Sequence, residues 1–134
     1  MRIDHSTNIL IVGLGLIGGS YAKGFAKNGF DLCAIDSNPD TIQYALDNYI
    51  IAEGATTPDP EMIGKADLVI FALYPHIFKE WIAENQKYFK PGVFITDVTG
   101  VKGCIVDDIQ KMLREDCEYI AAHPMAGCEK LGIQ

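Results

Sequence analysis

The chain has 134 residues, of which 49% are hydrophobic and 22% charged, and its formal net charge is −7. This composition excludes a disordered tail or a fibrous repeat, because it provides enough apolar surface for a buried core. Eighteen acidic residues against eleven basic ones, with no basic stripe, argue against a nucleic-acid partner. The chain has no apolar run long enough to cross a membrane and no signal-peptide pattern, so we expect a cytoplasmic protein.

Short apolar runs alternate with longer amphipathic stretches along the chain. Strands are predicted at 8–12, 32–35, near 55, 67–73, 93–97 and 119–122. Helices are predicted at 16–28, from 39 onward, at 75–88 and at 105–114, with a turn through Pro58 and Pro60. Strands that alternate with helices pair in parallel through right-handed crossovers. We therefore predict an α/β fold, a doubly wound Rossmann sheet of strand order 3-2-1-4-5-6, with ligands bound between strands 1 and 4.

A glycine-rich loop follows the first predicted strand. Gly13, Gly15 and Gly18 form the pattern GxGxxG, with Leu16 and Ile17 between the last two glycines. In this pattern the first glycine permits a tight turn, the second lets backbone amides approach a pyrophosphate, and the third lets the helix pack closely on the strand. The helix N-terminus adds unpaired N–H groups. The loop therefore predicts a dinucleotide site, with a purely structural glycine turn or a methyl-donor site as the alternatives.

Asp36 lies 18 residues after Gly18, at the end of the second predicted strand. A carboxylate at this point accepts hydrogen bonds from both hydroxyls of an adenosine ribose. It also repels a 2′-phosphate, by roughly 4 kcal/mol for unit charges about 4 Å apart at an effective dielectric of about 20. Ser37 and Asn38 follow Asp36, and no arginine is there to attract a 2′-phosphate, so NAD is the predicted cofactor. Ser37 is predicted as a further residue that contacts the cofactor. The alternative is a solvated turn aspartate or a helix cap.

Three segments of the chain resemble the prephenate and arogenate dehydrogenases, the oxidoreductases of tyrosine biosynthesis. They are the glycine loop at 13–20, DVTGVK at 97–102 and HPMAGCEK at 123–130, and they occur in the family's order and spacing. The HPMAG segment is the most specific of the three. The resemblance implies an NAD-dependent oxidative decarboxylation. Hydride passes from the hydroxyl-bearing ring carbon to the nicotinamide, the ring carboxylate leaves as carbon dioxide, and the ring becomes aromatic.

The resemblance also implies roles for single residues. His123, the histidine of HPMAG, would accept a hydrogen bond from the substrate hydroxyl as the carbonyl forms, and an imidazole that titrates near pH ~6.5 can do so. The family commonly has serine where Gly100 stands, and Thr99 is the hypothesised source of the missing hydroxyl toward substrate. By topology alone, Leu73, Tyr74 and Pro75 at the end of strand 4 should lie near the nicotinamide ribose. A backbone-bonded histidine and a packed tyrosine are the structural alternatives.

Members of the family continue into a helical domain that dimerises, closes the cleft and supplies arginines for the substrate carboxylates. We therefore expect residues 1–134 to be one NAD-binding domain that lacks the helical domain. It would be a fragment, inactive alone, of a longer homodimeric enzyme acting on a small molecule, prephenate or arogenate. A non-catalytic NAD(H) sensor and a related β-hydroxyacid or imine-reducing dehydrogenase stay open as alternatives. No histidines or cysteines have metal-ligand spacing, so no metal is expected.

Overall fold

The structure of the chain, a computed structural model, describes residues 3–99 and 103–121. The strands in chain order are β1 Ile9–Val12, β2 Leu32–Ile35, β3 Glu53–Ala55, β4 Leu68–Phe71, β5 Phe94–Asp97 and β6 Glu118–Ala121. The helices are α1 Leu16–Lys27, α2 Pro39–Asp47, α3 Pro60–Lys65, α4 Pro75–Asn85 and α5 Gly103–Met112, with a short 3₁₀ helix at Gln86–Tyr88 after α4.

The six strands form one sheet of order β3-β2-β1-β4-β5-β6, and every neighbouring pair is parallel. Ile11 of β1 pairs in register with Ala34 of β2 on one side and with Ile70 of β4 on the other. The predicted doubly wound sheet and its strand order are thereby confirmed. Because the chain leaves β1 and β4 toward opposite edges of the sheet, a crevice opens between the carboxyl ends of these two strands.

The central strand β1 is buried on both faces, which explains why its sequence is continuously apolar. Leu10 and Val12 pack in the core layer that includes residues of α3, α4 and α5. Ile9 and Ile11 point to the opposite layer, which α1 and α2 cover. The alternation follows from the two-residue period of a strand, and it fixes the sheet between two layers of helices.

The structure differs from the sequence prediction at residues 60–65, where α3 stands in place of a turn. Pro60 occupies the first helical turn, and the Asp59 side chain accepts hydrogen bonds from the N–H groups of Glu61 and Met62 at 3.0 and 3.3 Å. Both features start a helix, but six residues are too few to show a helical period. The bounds of the other predicted elements lie within three residues of the observed ones wherever the chain is described.

Candidate functional site

Two glycines bring α1 against the ends of β1 and β4. Gly13 has a φ of +99°, and a Cβ added there would lie 2.5 Å from the carbonyl oxygen of Ala72. A Cβ on Gly18 would lie 1.9 Å from the carbonyl oxygen of Gly13. Neither position accepts a side chain unless the backbone moves. The packing therefore agrees with the tight turn and the close helix–strand contact predicted for these two glycines.

Gly15 is in a different environment, because a Cβ added there would meet no atom within 4 Å. It is the N-cap of α1 and, like Tyr74 at the start of α4, provides no side-chain hydrogen bond to the helix. In contrast, Asn38 and Asp59 cap α2 and α3 with their side chains. Among the helices whose N-caps are described, α1 and α4 therefore keep first-turn N–H groups available to a ligand.

The half-buried carboxylate of Asp36 connects the end of β2 to the glycine loop. Asp36 Oδ2 accepts a hydrogen bond from the N–H of Leu14 at 2.7 Å, and Oδ1 accepts one from the N–H of Asn38 at 2.9 Å. The Asp36 N–H donates to the carbonyl oxygen of Ala55 at 3.0 Å. Each carboxylate oxygen accepts more than one hydrogen bond. The side chain can therefore anchor the loop and still accept ligand hydroxyls.

A cleft of about 520 Å³ runs across the carboxyl ends of four neighbouring strands. Its lining residues are Gly13, Gly15, Leu16, Ile17, Gly18, Asp36, Ala72, Leu73, Tyr74, Pro75, Ile77 and Thr99. The structure thus brings together most of the residues that the sequence pointed to after strands 1, 2, 4 and 5. Ser37 is exposed and lies outside this lining, so its predicted contact gains no support.

Two lining residues were missed from the sequence: Ala72 and Ile77. Ala72 directly precedes the predicted segment 73–75, so a window one residue wider at the end of strand 4 would have included it. Ile77 lies in the first turn of α4 and is exposed at 39%. An exposed apolar residue at the start of a helix that begins at a strand's carboxyl end is the signal that could have found it.

The comparison with known proteins places the chain in a family. The family model described as "Prephenate dehydrogenase, nucleotide-binding domain" matches residues 21–134. The chain belongs to this family. The prephenate dehydrogenase of Lactococcus lactis subsp. cremoris (strain MG1363) is 29% identical over 130 residues, which are 93% of this chain and 36% of that protein. The prephenate dehydrogenase of Bacillus subtilis (strain 168) is 30% identical over 129 residues, 93% of this chain and 34% of that protein.

A solved member of the family shares the fold. The crystal structure of prephenate dehydrogenase from A. aeolicus, in complex with hydroxyphenyl propionate and NAD+, superimposes with a TM-score of 0.77 at 31% identity. The match covers 96% of this chain and 45% of that one. Of the two curated prephenate dehydrogenases from L. lactis and B. subtilis, this chain spans about a third of the length.

Within this prephenate dehydrogenase domain, Thr99 lies beside the end of β4. Its hydroxyl donates a hydrogen bond to the carbonyl oxygen of Leu73 at 3.3 Å, and the N–H of Val98 donates to the carbonyl oxygen of Phe71 at 3.0 Å. The Thr99 hydroxyl thus keeps its lone pairs, but its proton is directed at the backbone. Its role toward substrate stays a prediction. Gly100 and His123 lie outside the residues that the structure describes.

Asp97, the last residue of β5, is fully buried two positions before Thr99. Its Oδ2 accepts a hydrogen bond of 2.8 Å from the Tyr119 hydroxyl. Burial, and then this hydrogen bond to Asp97, raises the pKa of Tyr119 above its ordinary value, so the phenol is protonated and donates at neutral pH. The sequence interpretation did not predict this pair, although an acid at an inward-facing strand position is a signal for it.

Metal binding and membrane crossing each require a feature that can be looked for in the described ranges, 3–99 and 103–121. No group of three or more histidine, cysteine, aspartate or glutamate side chains in these ranges is placed to hold a metal ion. None of the helices in the same ranges combines the length and the apolar character needed to cross a bilayer.

Proposed function

We propose that this chain is the NAD-binding part of a dehydrogenase that oxidatively decarboxylates prephenate or arogenate in tyrosine biosynthesis. The observation that carries the proposal is the cleft at the β1–β4 crevice, where the open space at Gly15 adjoins the acceptor carboxylate of Asp36. Membership of the prephenate dehydrogenase family supports it, as does the NAD+ in the A. aeolicus structure. When bound, NAD would accept the hydride from the substrate ring.

The residues of the cleft fit NAD in charge and in space. The first-turn N–H groups at Leu16 and Ile17 and the partial positive charge of the α1 N-terminus hold a diphosphate. A side chain at Gly15 would occupy that space. Asp36 accepts hydrogen bonds from the ribose hydroxyls, and its negative charge excludes the 2′-phosphate of NADP.

In this proposal the substrate half of the cleft is formed after strands 4, 5 and 6. Leu73, Tyr74 and Thr99 line the cleft after β4 and β5 and contact the cofactor or the substrate. Gly100 belongs to the same substrate group by its place in the DVTGVK segment. His123 takes the hydrogen bond, and then the proton, of the substrate hydroxyl, as its place in HPMAG implies; neutral imidazole provides the required acceptor.

The remaining parts of the proposal concern the whole enzyme. Residues 1–134 form one NAD-binding domain, and a helical domain elsewhere in the enzyme dimerises and supplies arginines that bind the substrate carboxylates in bidentate fashion. The relatives are long enough to contain such a domain, since this chain covers only 36% and 34% of them. The partners are small molecules in the cytoplasm. A net charge of −7 disfavours nucleic acid and anionic membrane surfaces.

The test is hydride transfer from prephenate and from arogenate in the full-length enzyme, followed by the absorbance of NADH. His123→Ala should lower kcat by about 10²- to 10⁴-fold, because an acid–base group contributes that much, while the Kd for NADH stays unchanged. The matched control is His5→Ala, at an exposed position before β1 and outside the cleft lining, which should leave kcat unchanged. Unchanged kcat in His123→Ala would remove the assignment. NADH binding without transfer from either substrate would identify a sensor instead.

A further inference from the structure

Asp97 is a buried acid with an incomplete set of hydrogen bonds. Its Oδ2 accepts a hydrogen bond from the Tyr119 hydroxyl. Its Oδ1 has no hydrogen-bond partner, and among the described residues it is the one buried side-chain nitrogen or oxygen atom that lacks a partner. None of the ion pairs found in residues 3–99 and 103–121 includes Asp97. Within the described residues the side chain of Asp97 is bound by one neutral hydroxyl, which offsets only part of the negative charge of an ionised carboxylate.

The surroundings of Asp97 screen that charge poorly. In the sheet register it stands between Phe71 of β4 and Ala121 of β6. The ring of Tyr119 packs edge-on to Phe78 with the ring centroids 5.9 Å apart. Apolar neighbours that exclude water lower the local dielectric, so a charge at this position acts over a longer distance than one at the surface.

The position of Asp97 connects it to one half of the cleft. Asp97 is the last residue of β5, so it lies at the carboxyl ends of the strands, as the glycine loop does. Two residues later comes Thr99, which lines the cleft and contacts Leu73. Asp36 follows β2, three strands away in the order β2-β1-β4-β5. A dinucleotide with its adenosine ribose at Asp36 and its diphosphate at Gly15 therefore extends its nicotinamide toward the β5 end.

We propose that Asp97 is a specificity-determining residue that makes the site favour the oxidised, positively charged nicotinamide over the reduced, neutral one. This inference rests on the proposed NAD binding. The oxidised ring gains attraction from the carboxylate and the reduced ring does not, so the charge changes the ratio of the two affinities. For unit charges about 10 Å apart at an effective dielectric of about 20, the change is on the order of tenfold.

The experiment compares the Kd values for NAD+ and NADH, measured by calorimetry, in the parent and in Asp97→Asn. Asparagine has nearly the same shape, and its amide oxygen can accept from Tyr119, so the variant removes the charge and keeps the contact. We expect the Kd for NAD+ to rise about tenfold and the Kd for NADH to change less than twofold. Asp97→Ser removes the same charge with a smaller side chain and should shift the ratio in the same direction, which keeps the test valid if Asp97→Asn folds poorly.

The matched control is Glu118→Gln, which removes one negative charge from an exposed residue at the other end of β6 and should leave both Kd values unchanged. The inference would be overturned if both Asp97 variants kept the parent's ratio of the Kd for NAD+ to the Kd for NADH. This holds whether the two Kd values stay the same or rise together, and in either case NAD binding itself would stand. A parent chain that binds neither form of the cofactor would overturn the proposed function and this inference with it.

Discussion

The main-chain N–H of Leu14 donates a hydrogen bond of 2.7 Å to Asp36 Oδ2, across 22 residues of sequence. The contact joins the glycine loop after β1 to the end of β2, at the mouth of the cleft. The carboxylate proposed to hold the ribose therefore also holds the loop that receives the diphosphate. Substitutions of Asp36 must keep an oxygen for the Leu14 N–H if they are to report on ligand binding alone.

Asp36→Asn meets this condition, because the amide retains one oxygen acceptor. We expect the Kd for NADH to rise about tenfold, equivalent to about 1.4 kcal/mol, as one ribose hydrogen bond to a charged acceptor is lost. Binding of NADPH should improve relative to NADH, because the repulsion of the 2′-phosphate is removed. Calorimetric titration of both cofactors measures the two effects. Asp31→Asn, an exposed residue just before β2, is the control for the charge change and should alter neither Kd.

Gly18 is tightly packed and Gly15 faces open space, so replacing each with alanine should have different effects. Gly18→Ala should lower stability by more than about 2 kcal/mol, since its Cβ would meet the Gly13 carbonyl oxygen at 1.9 Å. Gly15→Ala should cost at most about 1 kcal/mol, the range for replacing an N-cap glycine, and should abolish NADH binding. Urea unfolding and NADH titration separate the two outcomes. Equal stability losses in the two variants, or normal NADH binding by Gly15→Ala, would contradict the description of the loop.

The general arrangement of this site follows from the sequence, and its finer contacts do not. Buried parallel strands carry continuous apolar runs, so 9–12 and 68–71 are recognisable, and their alternation with helices predicts the strand order. The glycine pattern then places the cleft. The bond between Leu14 and Asp36, by contrast, depends on how far a loop folds back. The Asp97–Tyr119 pair depends on the register of β5 against β6, which no local pattern determines.

Asp67, which directly precedes β4 at the amino ends of the strands, should make a pH-dependent contribution to stability. Partial burial raises the pKa of Asp67, but the N–H of Asn8, which donates to Oδ2 at 2.8 Å, and the ammonium of Lys90 together hold it below its ordinary value. The folded pKa is thus lower than the unfolded value of about 3.9. The stabilisation is complete above the unfolded pKa and is lost as the pH falls through the folded pKa.

Asp67→Asn should therefore be less stable than the parent at neutral pH, and the difference should narrow below about pH 4. Urea unfolding at a series of pH values measures the free energy of unfolding of both proteins. A difference that stays constant between neutral and strongly acidic pH would show that the Asp67 charge contributes nothing.

Tyr119 should make the stability of the protein fall at alkaline pH, whereas Asp67 makes it fall at acidic pH. Its pKa is raised in the folded state by burial and by Asp97. The resulting stabilisation is complete below the unfolded pKa of about 10 and is lost as the pH rises further through the folded pKa. In an alkaline absorbance titration, one of the six tyrosines should ionise only as the protein unfolds.

Tyr119→Phe should remove that late-titrating tyrosine and, at neutral pH, lower the free energy of unfolding by about 1–3 kcal/mol, because the buried Asp97 loses its donor. Tyr44→Phe, at an exposed position on α2, is the control and should leave the late titration in place. A parent whose tyrosines all titrate before unfolding would contradict the buried phenol–carboxylate pair.

The central claim is that the cleft between β1 and β4 binds NAD, and calorimetric titration of the purified chain with NADH tests it most directly. The account predicts saturable binding at one site per chain in the parent and none in Gly15→Ala with its fold intact. A folded parent chain that gives no binding heat with NADH at any temperature tested, and does not displace a fluorescent nucleotide, would contradict it.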